Sequence, residues 1–236
     1  MSDKPILKVE NLSVSFGGFN VFHDISFEVK KGEAVAIVGP NGSGKSVLFR
    51  AILGFIPYLG NVEWVKNVKI GYVPQKLFVD AHFPVSVGDF FSFKTKSKQA
   101  KIEALNSVGI TGNEEHLQHH ILSKKLGALS GGQFQRIMIA WAIINKPDIL
   151  LFDEPTSGID VGGEETIYNL LHKLQTQNRL SLVLISHDLN IVYHYADKVM
   201  CINKEMICFG EPHVVLDPAS LSKLYGGEAK FYSHEH

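Results

Sequence analysis

Residues 34–46 read Ala-Val-Ala-Ile-Val-Gly-Pro-Asn-Gly-Ser-Gly-Lys-Ser. A continuous apolar run such as Ala34–Val38 needs cover on both faces, as a strand inside a parallel sheet has. It feeds directly into Gly39–Ser46, which fits G-x-x-x-x-G-K-[ST] at every fixed position, and Ser46–Phe55 follows as a predicted helix. Strand, glycine loop and helix in this order restrict the chain to an α/β fold built around a phosphate cradle. Gly39, Gly42 and Gly44 let successive backbone N–H groups turn inward around phosphate oxygens, with Asn41 and Ser43 completing the loop. The helix points its positive end at the same anion. Lys45 adds a mobile charge for the β- and γ-phosphates, and Ser46 offers a hydroxyl to Mg²⁺. Val47 stands where many such loops carry Thr, so it keeps its N–H but lacks a hydroxyl for the α-phosphate.

A second apolar strand, Ile149–Phe152, ends in Asp153-Glu154. Beside a phosphate loop, Asp153 can approach Mg²⁺ through a water, and Glu154 can polarise an attacking water. Leu129-Ser130-Gly131-Gly132-Gln133 opens a further predicted helix, Gly131–Ile144, with Ser130 as N-cap. By itself that string also fits an ordinary capped helix. Combined with the cradle it is a second anion-binding helix start. Two such starts and one catalytic set point to two chains pairing head to tail.

The rest of the 236 residues fits this frame. Short alternating strands are predicted at Ile6–Glu10, Leu12–Phe16 and Ile25–Val29, then at Asn61–Val65 and Lys69–Val73. From Gln75 to about Ser123 short helical patterns take over, at Val87–Phe93, Lys98–Val108 and Glu114–His119, reading as an inserted helical subdomain. Beyond Asp153 come a helix over Gly163–Thr176, a strand over Ser181–Ile185, a helix over Asp188–Tyr195, and strands at Lys198–Ile202 and Met206–Phe209. The last stretch is weakly patterned. With 23 basic and 24 acidic residues, nothing calls for nucleic acid or an anionic membrane as partner. Cys201 and Cys208 are too few for a disulfide framework and read as buried thiols in strands. No apolar run reaches the roughly 18 residues of a membrane span, and Met1-Ser-Asp-Lys-Pro carries no apolar signal region. The chain is therefore expected to be cytosolic, with any link to a membrane running through a partner protein.

Across nearly its full length the sequence resembles the ATP-binding subunits of ATP-binding-cassette (ABC) transporters. The resemblance rests on the phosphate loop, Gln75 in Tyr-Val-Pro-Gln, Leu129–Gln133, Asp153-Glu154, Ser157-Gly158-Ile159-Asp160 and His187 in Ile-Ser-His-Asp, all in the family's order. It implies an α/β fold, a P-loop NTPase of the ABC ATPase type. This has a mostly parallel core sheet, an N-terminal antiparallel β subdomain and an inserted α-helical subdomain near 76–145, in a single nucleotide-binding domain over 1–236. It implies ATP and Mg²⁺ as cofactors. Phe16 would stack on adenine, with Val21 beside the ring. Ser46, Gln75 and Asp153 would serve the metal, and Lys45, Gln75, Glu154 and His187 the chemistry, with His187 on the γ-phosphate. Ser130, Gly131, Gly132 and Gln133 would reach a nucleotide on the partner chain, and Asp160 would line the dimer interface. The family most often has Ser-Ala-Leu-Asp where this chain has Ser157-Gly158-Ile159-Asp160.

Lys69–Asp80, Asp153–Asp160, Ser186–Leu189 and Met200–Gly210 are similar to the ATPases of bacterial zinc importers more than to cassettes at large. The tail Ser233-His-Glu-His236 is similar to, and shorter than, histidine-rich tails in that group, and it reads as a solvated terminus. The resemblance implies a homodimer, transmembrane permease subunits, and a periplasmic or extracellular metal-binding protein. Manganese and iron importers use similar ATPases, and exporter and non-transport cassettes fit the same core motifs.

Overall fold

The computed structural model describes residues 4–75, 80, 83–154 and 161–226, with residues 161–164 by backbone only. Ser157–Asp160, Leu77-Phe78 and the C-terminal histidines therefore lie outside the described residues. The chain divides into two compact units, residues 1–66 with 183–236 and residues 67–182.

In the first unit, strands β1 (Leu7–Phe16), β2 (Phe19–Val29) and β4 (Leu59–Trp64) form an antiparallel sheet in the order β2-β1-β4. The two strands predicted at Ile6–Glu10 and Leu12–Phe16 are one strand. Asn11 takes φ 52° and its N–H bonds the Ser26 hydroxyl, so β1 passes through irregular register instead of breaking. Strand β3 (Ala34–Val38) is wholly buried, as its unbroken apolar run requires, and pairs in parallel with β8 (Lys198–Ile202). Strand β9 (Met206–Gly210) returns antiparallel along β8. Helix α1 (Lys45–Ile52) buries Leu48 and Phe49 and stops short of the predicted Phe55, because Gly54 turns the backbone to φ 73°. Helix α7 (Leu189–Tyr195) is capped by the Asp188 carboxylate. Two helices occupy the stretch that carried little pattern, α8 (Pro212–Val215) and α9 (Pro218–Tyr225).

The second unit holds β5 (Ile70–Val73) and β6 (Ile149–Asp153), paired in parallel, with a set of helices inserted between them. Helix α2 (Val87–Ser92) starts at a Ser86–Asp89 capping box. Helix α3 (Lys98–Ser107) follows, then α4 (Glu114–His116), which passes into a π-helical segment at Leu117–Leu122. Helix α5 (Gly131–Ile143) and helix α6 (Val161–Asn178) flank β6 in sequence. The indole N–H of Trp141 donates to the Phe90 carbonyl at 3.2 Å, and its ring stacks on Phe90 at 4.9 Å, fastening α5 to α2. Arg136 donates to the Val108 carbonyl at 2.6 Å, fastening α5 to the end of α3.

Strand β7 (Ser181–Ile185) belongs partly to each unit. Its first residue donates to the Asp148 carbonyl at 3.1 Å, and Ser186 just past its end donates to the Ile37 carbonyl at 3.1 Å. The larger sheet has the order β5-β6-β7-β3-β8-β9 and is mostly parallel, as the sequence predicts.

Candidate functional site

In the first unit the phosphate loop leaves β3 at Gly39. A Cβ built there would lie 2.1 Å from the Ile202 carbonyl oxygen of β8, so no side chain fits. At Gly44 φ is 101°, and a Cβ would sit 3.0 Å from the Phe22 ring and 3.3 Å from Val21. Lys45 is only 5% exposed. Its ammonium donates to the carbonyls of Gly39 at 2.9 Å and Pro40 at 3.0 Å, across the mouth of the loop. Helix α1 begins without a side-chain cap hydrogen bond and without an acidic residue in its first turn, so its positive end suits an anion. The Ser43 hydroxyl is buried without a hydrogen-bond partner, an uncommon state for a buried polar group. This orphaned donor and the uncapped helix fit the triphosphate of ATP.

Two further features of the same unit bear on the loop. Phe16 and Phe19 face each other across the Gly17-Gly18 turn and are 47% and 82% exposed, leaving aromatic faces for a flat ring. Val21 contacts the loop at Gly44. His187 is exposed, one residue beyond Ser186, whose bond to Ile37 fixes it beside the end of β3.

Sequence reasoning missed the supports of the loop. Phe22 walls Gly44, Ile202 walls Gly39, and the Lys204 N–H donates to the Ser43 carbonyl at 3.3 Å. Phe22 follows Val21 in the chain, but Ile202 and Lys204 lie far downstream and give no local signal.

The second unit holds the acids. Asp153, at the end of β6, is 4% exposed. Glu154 follows at φ 49°, an uncommon conformation outside glycine that turns the chain sharply off the strand. The parallel register sets Val73 against Phe152, so residues two further on, Gln75 and Glu154, stand at matching positions past the strand ends. The Gln75 amide donates to the Glu154 carboxylate. The Gln75 amide oxygen and the Asp153 carboxylate, like the Ser46 hydroxyl in the first unit, are each oxygen donors of the kind Mg²⁺ prefers.

The Leu129–Gln133 string forms a capping box at the start of α5. The Ser130 hydroxyl accepts the Gln133 N–H at 3.3 Å, and the Gln133 amide oxygen accepts the Ser130 N–H at 3.3 Å and the Lys124 ammonium at 3.1 Å. No acid lies in the first turn, and a Cβ at Gly132 would meet open space. Asp160 lies outside the described residues.

Of the aromatic residues near the helical segment, Phe91 is core, Phe90 stacks on Trp141, and Phe93 is exposed. Lys94 lies 3.7 Å over the Trp141 ring, and burial pushes its ammonium below the usual lysine value. The His116 and His120 rings lie with centres 5.0 Å apart, tilted by 33°. Among the described residues no cluster of three or more His, Cys, Asp or Glu could hold a metal, and no helix is long and apolar enough to cross a membrane. Cys201 and Cys208 are not the separate buried thiols that the sequence predicts. Their positions face each other in the β8–β9 register, and they form a disulfide.

The family profile for ABC transporters matches residues 22–157, more than half of the chain. The chain belongs to the ABC transporter family. It is an ATP-hydrolysing transporter subunit. The ATPase is 36% identical to the zinc import ATP-binding protein ZnuC of Haemophilus influenzae, over 100% of this chain and 87% of that protein. It is 37% identical to ZnuC of Wigglesworthia glossinidia brevipalpis, over 98% of this chain and 99% of that protein. Among solved structures it is similar to a chain of a metal-chelate type ABC transporter in an inward-facing conformation. The TM-score is 0.81 at 30% identity, covering 94% of this chain and 89% of that one.

Proposed function

We propose that this ATPase powers the import of zinc, working as a homodimer at the cytoplasmic face of the membrane, bound to permease subunits that a periplasmic or extracellular metal-binding protein supplies. The observation that carries the cargo is the similarity to zinc import ATP-binding proteins from end to end of the chain. The cargo would pass through the permease, so a zinc site in this subunit is not required.

ATP enters the phosphate loop with its adenine against Phe16 and Val21. Lys45 exchanges the Gly39 and Pro40 carbonyls for β- and γ-phosphate oxygens, and Ser43 gains the partner it lacks. Asn41, Gly42, Gly44 and Val47 add backbone N–H groups. Ser46, Gln75 and Asp153 would hold Mg²⁺, which would supply positive charge for the phosphate oxygens. Glu154 orients water for in-line attack on the γ-phosphate, and His187 donates to the departing phosphoryl group. Ser130, Gly131, Gly132 and Gln133 of the partner chain cover the γ-phosphate, so ATP favours the closed dimer by differential affinity. Asp160 lines that interface. Gln75 opens the inserted helical segment and bonds Glu154, which couples the state of the nucleotide to the surface that meets the permease.

Glu154→Gln keeps size and removes the carboxylate. Turnover is expected to fall by about 10²–10⁴-fold while ATP still binds, leaving an ATP-bound dimer visible by size-exclusion chromatography. Undiminished hydrolysis would remove Glu154 from this role. Growth of a deletion strain under metal limitation, rescued by Zn²⁺ and not by Mn²⁺ or Fe²⁺, tests the cargo.

A further inference from the structure

Cys201 and Cys208 face each other in the β8–β9 register with Cα atoms 4.9 Å apart, and their disulfide closes the hairpin whose tip is residues 203–205. That tip backs the phosphate loop. The Ile202 carbonyl occupies the space a side chain at Gly39 would need. The Lys204 N–H donates to the Ser43 carbonyl at 3.3 Å, and the Lys204 carbonyl accepts the His23 N–H at 2.9 Å. Asn203 ties the same tip to α9 through the Leu224 carbonyl at 3.2 Å. The disulfide thus sits next to Ile202 in a hairpin that touches the loop at Gly39 and Ser43, and all of these residues lie in one unit.

The geometry points to the Cys201–Cys208 pair as a redox modification site that sets how tightly the phosphate loop holds ATP. The inference rests on the reading of the chain as an ATPase facing the cytoplasm. In that compartment thiol pools keep cysteines reduced, and a disulfide is typically made and broken in use. Cys201 is fully buried and Cys208 half-buried, so an incoming thiolate attacks the Cys208 sulfur. That step forms a mixed disulfide and expels the Cys201 thiolate, which takes up a proton. A second thiolate attacks the sulfur of the small thiol in the mixed disulfide and releases the Cys208 thiolate, which is protonated in turn. In balance, two small thiols lose two electrons and two protons and leave as one disulfide, and the protein disulfide becomes two thiols. Oxidation by a small disulfide runs the same steps backward. In the reduced form the covalent link across the hairpin is gone, and the Ile202 and Lys204 contacts loosen together.

The test compares the full chain equilibrated with oxidised glutathione or with dithiothreitol, its thiol state verified by alkylation and mass spectrometry. The oxidised protein is expected to bind a fluorescent ATP analogue about fivefold more tightly, roughly 1 kcal/mol. Amide exchange should be slower in residues 39–46 of the oxidised form and unchanged in strands β1 and β4. Cys208→Ser should behave like the reduced protein under both conditions. Equal affinity and equal exchange at 39–46 in forms shown to be oxidised and reduced would overturn the proposal, as would failure of any small disulfide to close the pair. The wild-type comparison decides the matter even if Cys208→Ser folds poorly. Loss of ATP binding in both forms would instead sink the ATPase reading, and this one with it.

Discussion

Replacing Ser130 with alanine separates two roles assigned to one hydroxyl. In the isolated chain that hydroxyl caps α5, at 3.3 Å from the Gln133 N–H. The contact is long, so its loss belongs in the lower half of the N-cap range, about 0.5–1 kcal/mol. For a chain of this size that lowers the melting temperature by about 1–4 °C. In the proposed dimer the same hydroxyl meets a γ-phosphate of the partner's ATP. A hydrogen bond to a charged group is worth about 1.5–3 kcal/mol, which predicts a turnover loss of roughly 10–150-fold. The two losses differ enough to be told apart by calorimetry and an ATPase assay on the same sample. The decisive step mixes the Ser130→Ala chain with a Lys45→Ala chain. If each site joins Lys45 of one chain to Ser130 of the other, every mixed dimer has one intact site and one doubly damaged site. Random pairing of equal amounts then restores about a quarter of all sites, read as a single-turnover burst. If both residues served the same chain's nucleotide, mixing would restore nothing. A burst no larger than the sum of the two separate variants would refute the shared site.

Other outcomes follow from the same geometry. Gly39→Ala places a methyl group 2.1 Å from a backbone carbonyl that cannot rotate away, so the loop must move. A stability loss of about 1–3 kcal/mol is expected, with at least a comparable loss of ATP affinity, by thermal denaturation and nucleotide titration. Val47→Thr adds the hydroxyl missing at the α-phosphate and should tighten ATP about fivefold, the worth of one hydrogen bond; unchanged affinity would dismiss that role for position 47. Asp89 is held below its ordinary value of 3.8 by hydrogen bonds from the Ser86 hydroxyl and then the Ser86 N–H. Its folded-state pKa is depressed, so the support it gives α2 is complete above about pH 3.8 and is lost only as pH falls through the lower folded value. A carboxyl titration by NMR at or above the ordinary value would contradict this.

The phosphate loop was legible because its requirements fall on consecutive residues, and the strand, glycines, lysine and serine stand in one string. Asp153-Glu154 and the α5 cap were legible for the same reason. The bond between Gln75 and Glu154 was not, since it depends on the β5–β6 register. Register also hid the disulfide, and the distant strand β8 hid the wall behind Gly39. Helix α9 does carry a local signal. Asp217 caps it and Pro218 occupies its first turn, an ordinary helix start in a stretch with little hydrophobic rhythm. The predicted helix over Glu114–His119 begins correctly, but after His116 the backbone widens into π geometry, a change of hydrogen bonding that periodicity does not report.

The first unit is written in two pieces, residues 1–66 and 183–236, and this bears on how the protein is made. Strand β3 leaves the ribosome with its apolar faces bare, and β8, its parallel neighbour, begins only at Lys198. At about 5–20 residues per second the gap lasts roughly 8–30 s, long compared with hydrophobic collapse. During that interval the three-stranded β1–β2–β4 sheet can form, because its last strand is complete at Trp64, whereas β3 must wait. The newborn chain is therefore most exposed to aggregation, and most in need of a chaperone, between the emergence of β3 and that of β8. Slowing translation inside residues 67–182 should lower the soluble yield more than the same slowing after β8.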